Sequence, residues 1–169
     1  RYGIDDGTAM TRTRLLLVLV ALALLASLPV CAGTALELTT DMRSVPLSQH
    51  LGYRHDTTAS DRPEDAWRRV ANAEFAPLPG GKDAFGFQSG AFWFHATVVN
   101  RNPDEQRWLL VQEYPLSDRL DLFLRYPDGR VVEHVGGDHV PFGVRRVRYR
   151  HPNVLVDLPV DTPVQLLLR

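Results

Sequence analysis

From Phe85 onward, hydrophobic and polar positions alternate along the chain. Phe92, Phe94, Ala96 and Val98 interleave with Trp93, His95, Thr97 and Val99, and Leu120, Leu122, Leu124 and Tyr126 interleave with Arg119, Asp121, Phe123 and Arg125. A period of two sends successive side chains to opposite faces of an extended chain, so each run predicts a strand with one face in a core. Asn100-Arg101-Asn102-Pro103-Asp104, Pro127-Asp128-Gly129 and Gly136-Gly137-Asp138 punctuate the runs with turn chemistry at spacings expected of antiparallel sheets. Upstream, one stretch follows the helical period instead. Asp61-Arg62-Pro63-Glu64 supplies a capping side chain, a proline in the first turn and an acid at the third position, and Trp67, Val70, Ala71 and Glu74 follow. This predicts one short helix over about Arg62 to Ala73, ended by the loop Pro77-Leu78-Pro79-Gly80-Gly81. Seven to nine strands and one helix predict an all-β fold, a jelly-roll-like antiparallel β-sandwich with one short helix.

The amino-terminal segment has a different pattern. Met10-Thr11-Arg12-Thr13-Arg14 precedes an unbroken apolar run from Leu15 to Ala26, then Ser27-Leu28-Pro29-Val30-Cys31-Ala32. Twelve apolar residues make roughly 18 Å of helix against about 30 Å of bilayer hydrocarbon, so the run reads as the core of a secretory signal peptide rather than as a span. Val30 and Ala32 provide small residues at the cleavage positions, which places the signal peptide at 10–32 with cleavage after Ala32, and Gly33 and Ala35 offer a second choice. Residues 1–9 lie upstream of Met10 and read as overhang, and 36–169 as the exported domain. At the other end, Val164-Gln165-Leu166-Leu167-Leu168-Arg169 is a strand pattern with no turn or polar tail after it, which predicts that the natural chain continues.

Composition narrows the function classes. Nineteen Lys and Arg against 20 Asp and Glu give a formal charge of −1, too little to draw nucleic acid. The lone Cys31 excludes an internal disulfide and any cysteine-based metal site. His134, Asp138 and His139 match no metal-ligand spacing, and Gly80-Gly81-Lys82 lacks the strand and spacing of a phosphate loop. No Gly-x-Ser-x-Gly elbow, cysteine nucleophile or carboxylate pair with an acid–base partner stands out. The sequence therefore predicts no catalytic residues, cofactor or metal.

Three stretches resemble a known family. They are Gly90-Ala91-Phe92-Trp93-Phe94-His95-Ala96-Thr97-Val98-Val99-Asn100, then Trp108-Leu109-Leu110-Val111-Gln112-Glu113-Tyr114-Pro115-Leu116-Ser117-Asp118-Arg119-Leu120-Asp121-Leu122, then Gly137-Asp138 with Pro141-Phe142 and His151-Pro152-Asn153-Val154-Leu155-Val156. Together they are similar to the periplasmic sensor domain, extracellular type 2, of bacterial seven-transmembrane receptors with diverse intracellular signalling modules, over about Leu36 to Arg169. The resemblance implies a signal peptide, a jelly-roll domain for carbohydrates or related small ligands on the periplasmic side of the inner membrane, and membrane helices with a kinase or diguanylate cyclase output in the full-length chain. Pro152 follows His151 where the family often has a basic residue, which weakens a ligand role there.

Two features are candidate ligand chemistry. Arg146, Arg148 and Arg150 would share one face if they stood in a strand, forming a guanidinium cluster for an anionic group, or else a solvated face that discourages edge pairing. Trp93 beside His95, Phe123 between Asp121 and Arg125, and Tyr114 beyond Gln112 put rings on the more polar strand faces, where rings stack on sugars and neighbours bond hydroxyls. With Asp118 these residues make up the expected ligand site; the other outcome is that Trp93 and Phe123 belong to the core. Alternatives from other classes are a structural module that holds a periplasmic partner protein or a second copy of itself, and an exported carbohydrate-active enzyme, which would need two close carboxylates.

Overall fold

The computed structural model describes residues 35–79, 85–113, 119–137, 147 and 149–169. The signal peptide expected at 10–32, its cleavage after Ala32 and the upstream segment 1–9 lie outside the described residues. The strands are β1 (Leu36–Leu38), β2 (Gly52–Asp56), β3 (Ala76–Pro77), β4 (Ala91–Asn100), β5 (Arg107–Val111), β6 (Leu120–Arg125), β7 (Val131–Gly136), β8 (Asn153–Asp157) and β9 (Pro163–Leu168). One α-helix, α1 (Pro63–Ala71), and a 3-10 turn at Leu47–His50 complete the elements.

The larger sheet runs β3-β2-β4-β9-β6-β7, with β1 pairing in parallel beside the end of β4, and β5 pairs with β8 in a second sheet. All pairings but that of β1 are antiparallel within the named strands. The architecture is an antiparallel β-sandwich with one short helix. Its main core fills the space between the sheets: Val98, Leu122, Leu124, Val164 and Leu166 of the large sheet meet Val154, Val156 and Leu158, with Trp108 and Leu110 packed against them. Tyr126 crosses the layer to donate its hydroxyl to the Asp157 carbonyl at 2.8 Å. Asn100 is fully buried and knots one end, donating from Nδ2 to the carbonyls of Glu105 and Leu158 at 2.8 Å each while Oδ1 accepts from the Asn102 amide at 3.0 Å.

The helix forms where the sequence places it, but its start is built differently. Pro63 opens the first turn, and the Arg62 amide donates to the Asp65 carboxylate at 3.1 Å, so Asp65 and not Glu64 closes the capping arrangement. The Asp61 carboxylate is drawn instead to Arg69 at 2.9 Å and Arg54 at 3.7 Å. The helix stops two residues earlier than expected because Ala73 takes a left-handed backbone, φ 55°, and Glu74 returns its amide to the Arg69 carbonyl.

A larger difference concerns the second face of the sheet. Ala66, Trp67 and Val70 of α1, with Phe75, pack on Trp93, Phe123 and Leu167 in a second core cluster. Strands β4 and β6 are therefore covered on both faces at their centres, not on one. The helix forms a third layer behind the sandwich.

Candidate functional site

Strand lengths decide where the sandwich is open. Ten residues of β4 extend about 33 Å, whereas the five of β5 and of β8 extend about 17 Å, so the small sheet covers only part of the inner face. On β4 that face carries Phe92, Phe94, Ala96 and Val98. Val98 lies in the sandwich core; Phe92 and Phe94, near the beginning of the strand, are only half-buried.

The register sets rings beside them. Tyr53 stands directly opposite Phe94 and His55 opposite Phe92, so all four side chains share one face. His55 lies flat against Phe92, with centroids 4.3 Å apart and planes at 5°. Phe85, from the connection that precedes β4, adds a third ring to the stack at 4.3 Å and 15° from Phe92. It also meets Tyr53 at 4.9 Å. The result is a half-exposed aromatic surface continuous with the interior of the sandwich.

His55 gives this surface a polar edge. Its Nε2 lies 2.8 Å from the Ser89 carbonyl oxygen, and because a carbonyl only accepts, Nε2 carries the hydrogen and Nδ1 of the neutral ring is an acceptor. Strand β6 begins and β7 ends at the end of the large sheet where β4 begins.

Behind the sheet the electrostatics differ. His95 is 5% exposed and meets the edges of Trp67 and Phe75, each at 6.1 Å between centroids. Burial, aided by the charge of Arg125, pushes its pKa down to about 4. Arg125 itself lies 4.0 Å over the Trp67 ring. Burial raises the pKa of the Asp56 carboxyl, but hydrogen bonds from the Asp61 amide and from the Thr58 hydroxyl and amide, with Arg169 nearby, outweigh it and leave the value lowered. Asp121 is buried and paired with Arg119 at 2.8 Å.

Three of the expected ligand residues, Trp93, Phe123 and Arg150, are among the described residues. Trp93 is 0% exposed and Phe123 is 5% exposed, with the two rings 6.3 Å apart under α1. Neither offers a ring face to a ligand, which corrects the sugar-stacking role expected of them. Tyr114, Asp118, Arg146 and Arg148 lie outside the described residues. Arg150 is exposed and directs Nε to His151 Nε2 at 2.8 Å. Tyr149 to Pro152 are not strand; the Tyr149 amide turns back to the Val147 carbonyl and Asn153 Nδ2 bonds the carbonyls of Val147 and His151, so the register that would align the arginines is absent there. Among the described residues no cluster of three or more His, Cys, Asp or Glu could hold a metal ion. A surface cleft of about 400 Å³ lined by Tyr126, Asp128, Arg130, Pro159 and Thr162 lies at the opposite end, around the turn into β7 and the entry to β9. No aromatic cluster opens into it.

The residues that the sequence reading missed are Tyr53, His55, Phe85, Phe92 and Phe94. The available signal was the alternation Tyr53-Arg54-His55, a strand pattern with two ring-bearing side chains on one face. Comparison with known proteins returns one family: the model described as 7TMR-DISM extracellular 2 matches residues 48–169. No curated protein and no solved structure matches the chain.

Proposed function

From the premise that this chain belongs to the 7TMR-DISM extracellular 2 family, we propose that it is the extracytoplasmic ligand-binding domain of a bacterial transmembrane receptor and that its ligand is a carbohydrate. The half-exposed surface of Tyr53, Phe92 and Phe94 on one face of the sheet, edged by His55, carries this reading. An aromatic ring face offers the apolar face of a sugar a stacking partner, and an adjacent imidazole bonds hydroxyls. In the same reading Tyr114, Asp118, Arg146, Arg148 and Arg150 supply polar and charged contacts to the ligand. Trp93 and Phe123 support the sheet from behind. The fold of the domain is taken as a jelly roll, and the chain as exported by its amino-terminal segment, with membrane helices and an output module elsewhere in the receptor.

No acid–base pair enters this reading, and the domain acts by binding, not catalysis. A surface for holding another protein is less well supported: Val131 and Val135 are exposed on edge strand β7, but Glu133 stands between them on the same face and opposes pairing with a further strand. The test is binding to an array of neutral and acidic oligosaccharides by the protein and by Phe92→Ala. Glycan binding weakened about tenfold in a variant that still folds is the expected result, on the scale of a lost stacking anchor. Absence of glycan binding, or binding indifferent to Phe92, would overturn the reading.

A further inference from the structure

We propose that Phe85 is an internal occupant of the ligand position, and that a hydroxylated six-membered ring binds by displacing it from the face of Tyr53, Phe92 and Phe94. The inference rests on the carbohydrate reading and adds where the sugar sits and what must move to admit it.

Phe85 is not part of the sheet. It arrives from the connection before β4, yet its ring touches three rings of the sheet at once: Phe92 at 4.3 Å and 15°, Tyr53 at 4.9 Å and 30°, and Phe94 at 6.1 Å and 39°. A flat ring seated on a sheet-borne aromatic surface is the arrangement a sugar would adopt there. Only one ring at a time can take that place.

The strap that holds Phe85 is built to release it. Among the described residues no backbone–backbone hydrogen bond ties residues 86–89 to the body, and Phe87 at the tip is fully exposed. Gly86, at φ +69°, has nothing within 4 Å of where a Cβ would stand. Gly90, at φ +97°, is the fixed end: a Cβ there would lie 2.3 Å from the Asp56 carbonyl oxygen, so only glycine lets the chain pass so close to β2. The strap is thus anchored at Gly90, whereas at Gly86 no described residue packs against it. The closest of the three contacts, Phe85 on Phe92, is worth a factor of about two to ten, and a ligand that stacks on the same rings replaces it.

His55 supplies the chemical class of the ligand. Its ring stacks on Phe92 and its Nε2–H is engaged by the Ser89 carbonyl of the strap, which makes Nδ1 the acceptor. Withdrawal of the strap frees Nε2–H, leaving one donor and one acceptor on a single ring. Hydroxyl groups satisfy both kinds, because each donates once and accepts.

The experiment titrates the protein and Phe85→Ala with methyl β-glucopyranoside, methyl β-galactopyranoside and glucuronic acid, following ring-labelled phenylalanine by nuclear magnetic resonance. Removing the competing ring should tighten binding of the accepted sugar about two- to tenfold, and in the unmodified protein the Phe85 ring signals should move toward those of solvated phenylalanine at saturation. Weaker binding by Phe85→Ala, with the unmodified protein still binding, would make Phe85 a wall of the site and overturn displacement while leaving the carbohydrate reading intact. Phe85 signals that stay in their stacked position at saturation would overturn it equally, and this readout stands even if the variant does not fold. No binding of any of the three sugars by either protein would overturn this proposal, while the oligosaccharide array decides the wider reading separately.

Discussion

His95 ties the stability of this domain to pH through one buried imidazole. It sits at the middle of β4 on the face that α1 covers, between the edges of Trp67 and Phe75, and its Nε2 has no hydrogen-bond partner among the described residues. Charging the ring there would strand a cation among aromatic and aliphatic side chains, with the Arg125 guanidinium as a further repulsive charge. The pKa of about 4 in the folded protein lies below the ordinary 6.5. The folded state therefore binds fewer protons than the unfolded chain, so this residue's contribution is fully present above the ordinary value and is lost as pH falls from there through the folded value. Integrating between those two values, the loss from pH 7 to pH 4 is about 3 kcal/mol, of which about 2 kcal/mol is already gone at pH 5.

The assay is urea unfolding at pH 7, 6 and 5, comparing the protein with His95→Leu. The lowered carboxyl of Asp56 acts below pH 4, outside this window, and the remaining histidines are common to both proteins. The difference between the two pH profiles isolates His95 even if the substitution changes stability at pH 7. The unmodified protein should lose about 2 kcal/mol more than the variant between pH 7 and pH 5. Parallel profiles would refute the argument, since they would mean that the imidazole is solvated or paired when charged.

Trp93→Ala should cost about 3–5 kcal/mol of stability in thermal or urea melts, as large core truncations do, while sugar binding at low temperature is retained because the ring lies on the opposite face from Phe92. A loss of binding without a loss of stability would return Trp93 to the ligand site. Asn100→Ala should cost about 2–4 kcal/mol, because two carbonyls and one amide in the buried end of the sandwich lose their partner together; a melt unchanged within error would show that they find others.

Much of the fold was legible in the sequence. The alternation through Phe92–Val99 and Leu120–Tyr126 marked β4 and β6, Pro63 and the spacing of Trp67 and Val70 marked the helix, and the three quoted stretches marked the family before any contact was known. These signals are local: the strand period follows from backbone geometry, and helix entry from the first turn's chemistry. What covers each face is a different kind of fact. The alternation separates Trp93 and His95 from Phe92 and Phe94, but nothing within β4 says which set meets a helix and which meets a short sheet. Trp93, on the strand face it shares with His95 and Thr97, is sealed because α1 docks there, and Phe92, on the face that leads into the sandwich core, is left half-open because β5 and β8 are half as long as β4. The same holds for Phe85 and His55, which are separated in sequence by 30 positions and both stack on Phe92 only because β2 pairs with β4 and the strap folds back over the sheet. Side-chain periodicity is written residue by residue, whereas exposure depends on the length and placement of segments far along the chain, and that is settled only when all the layers pack.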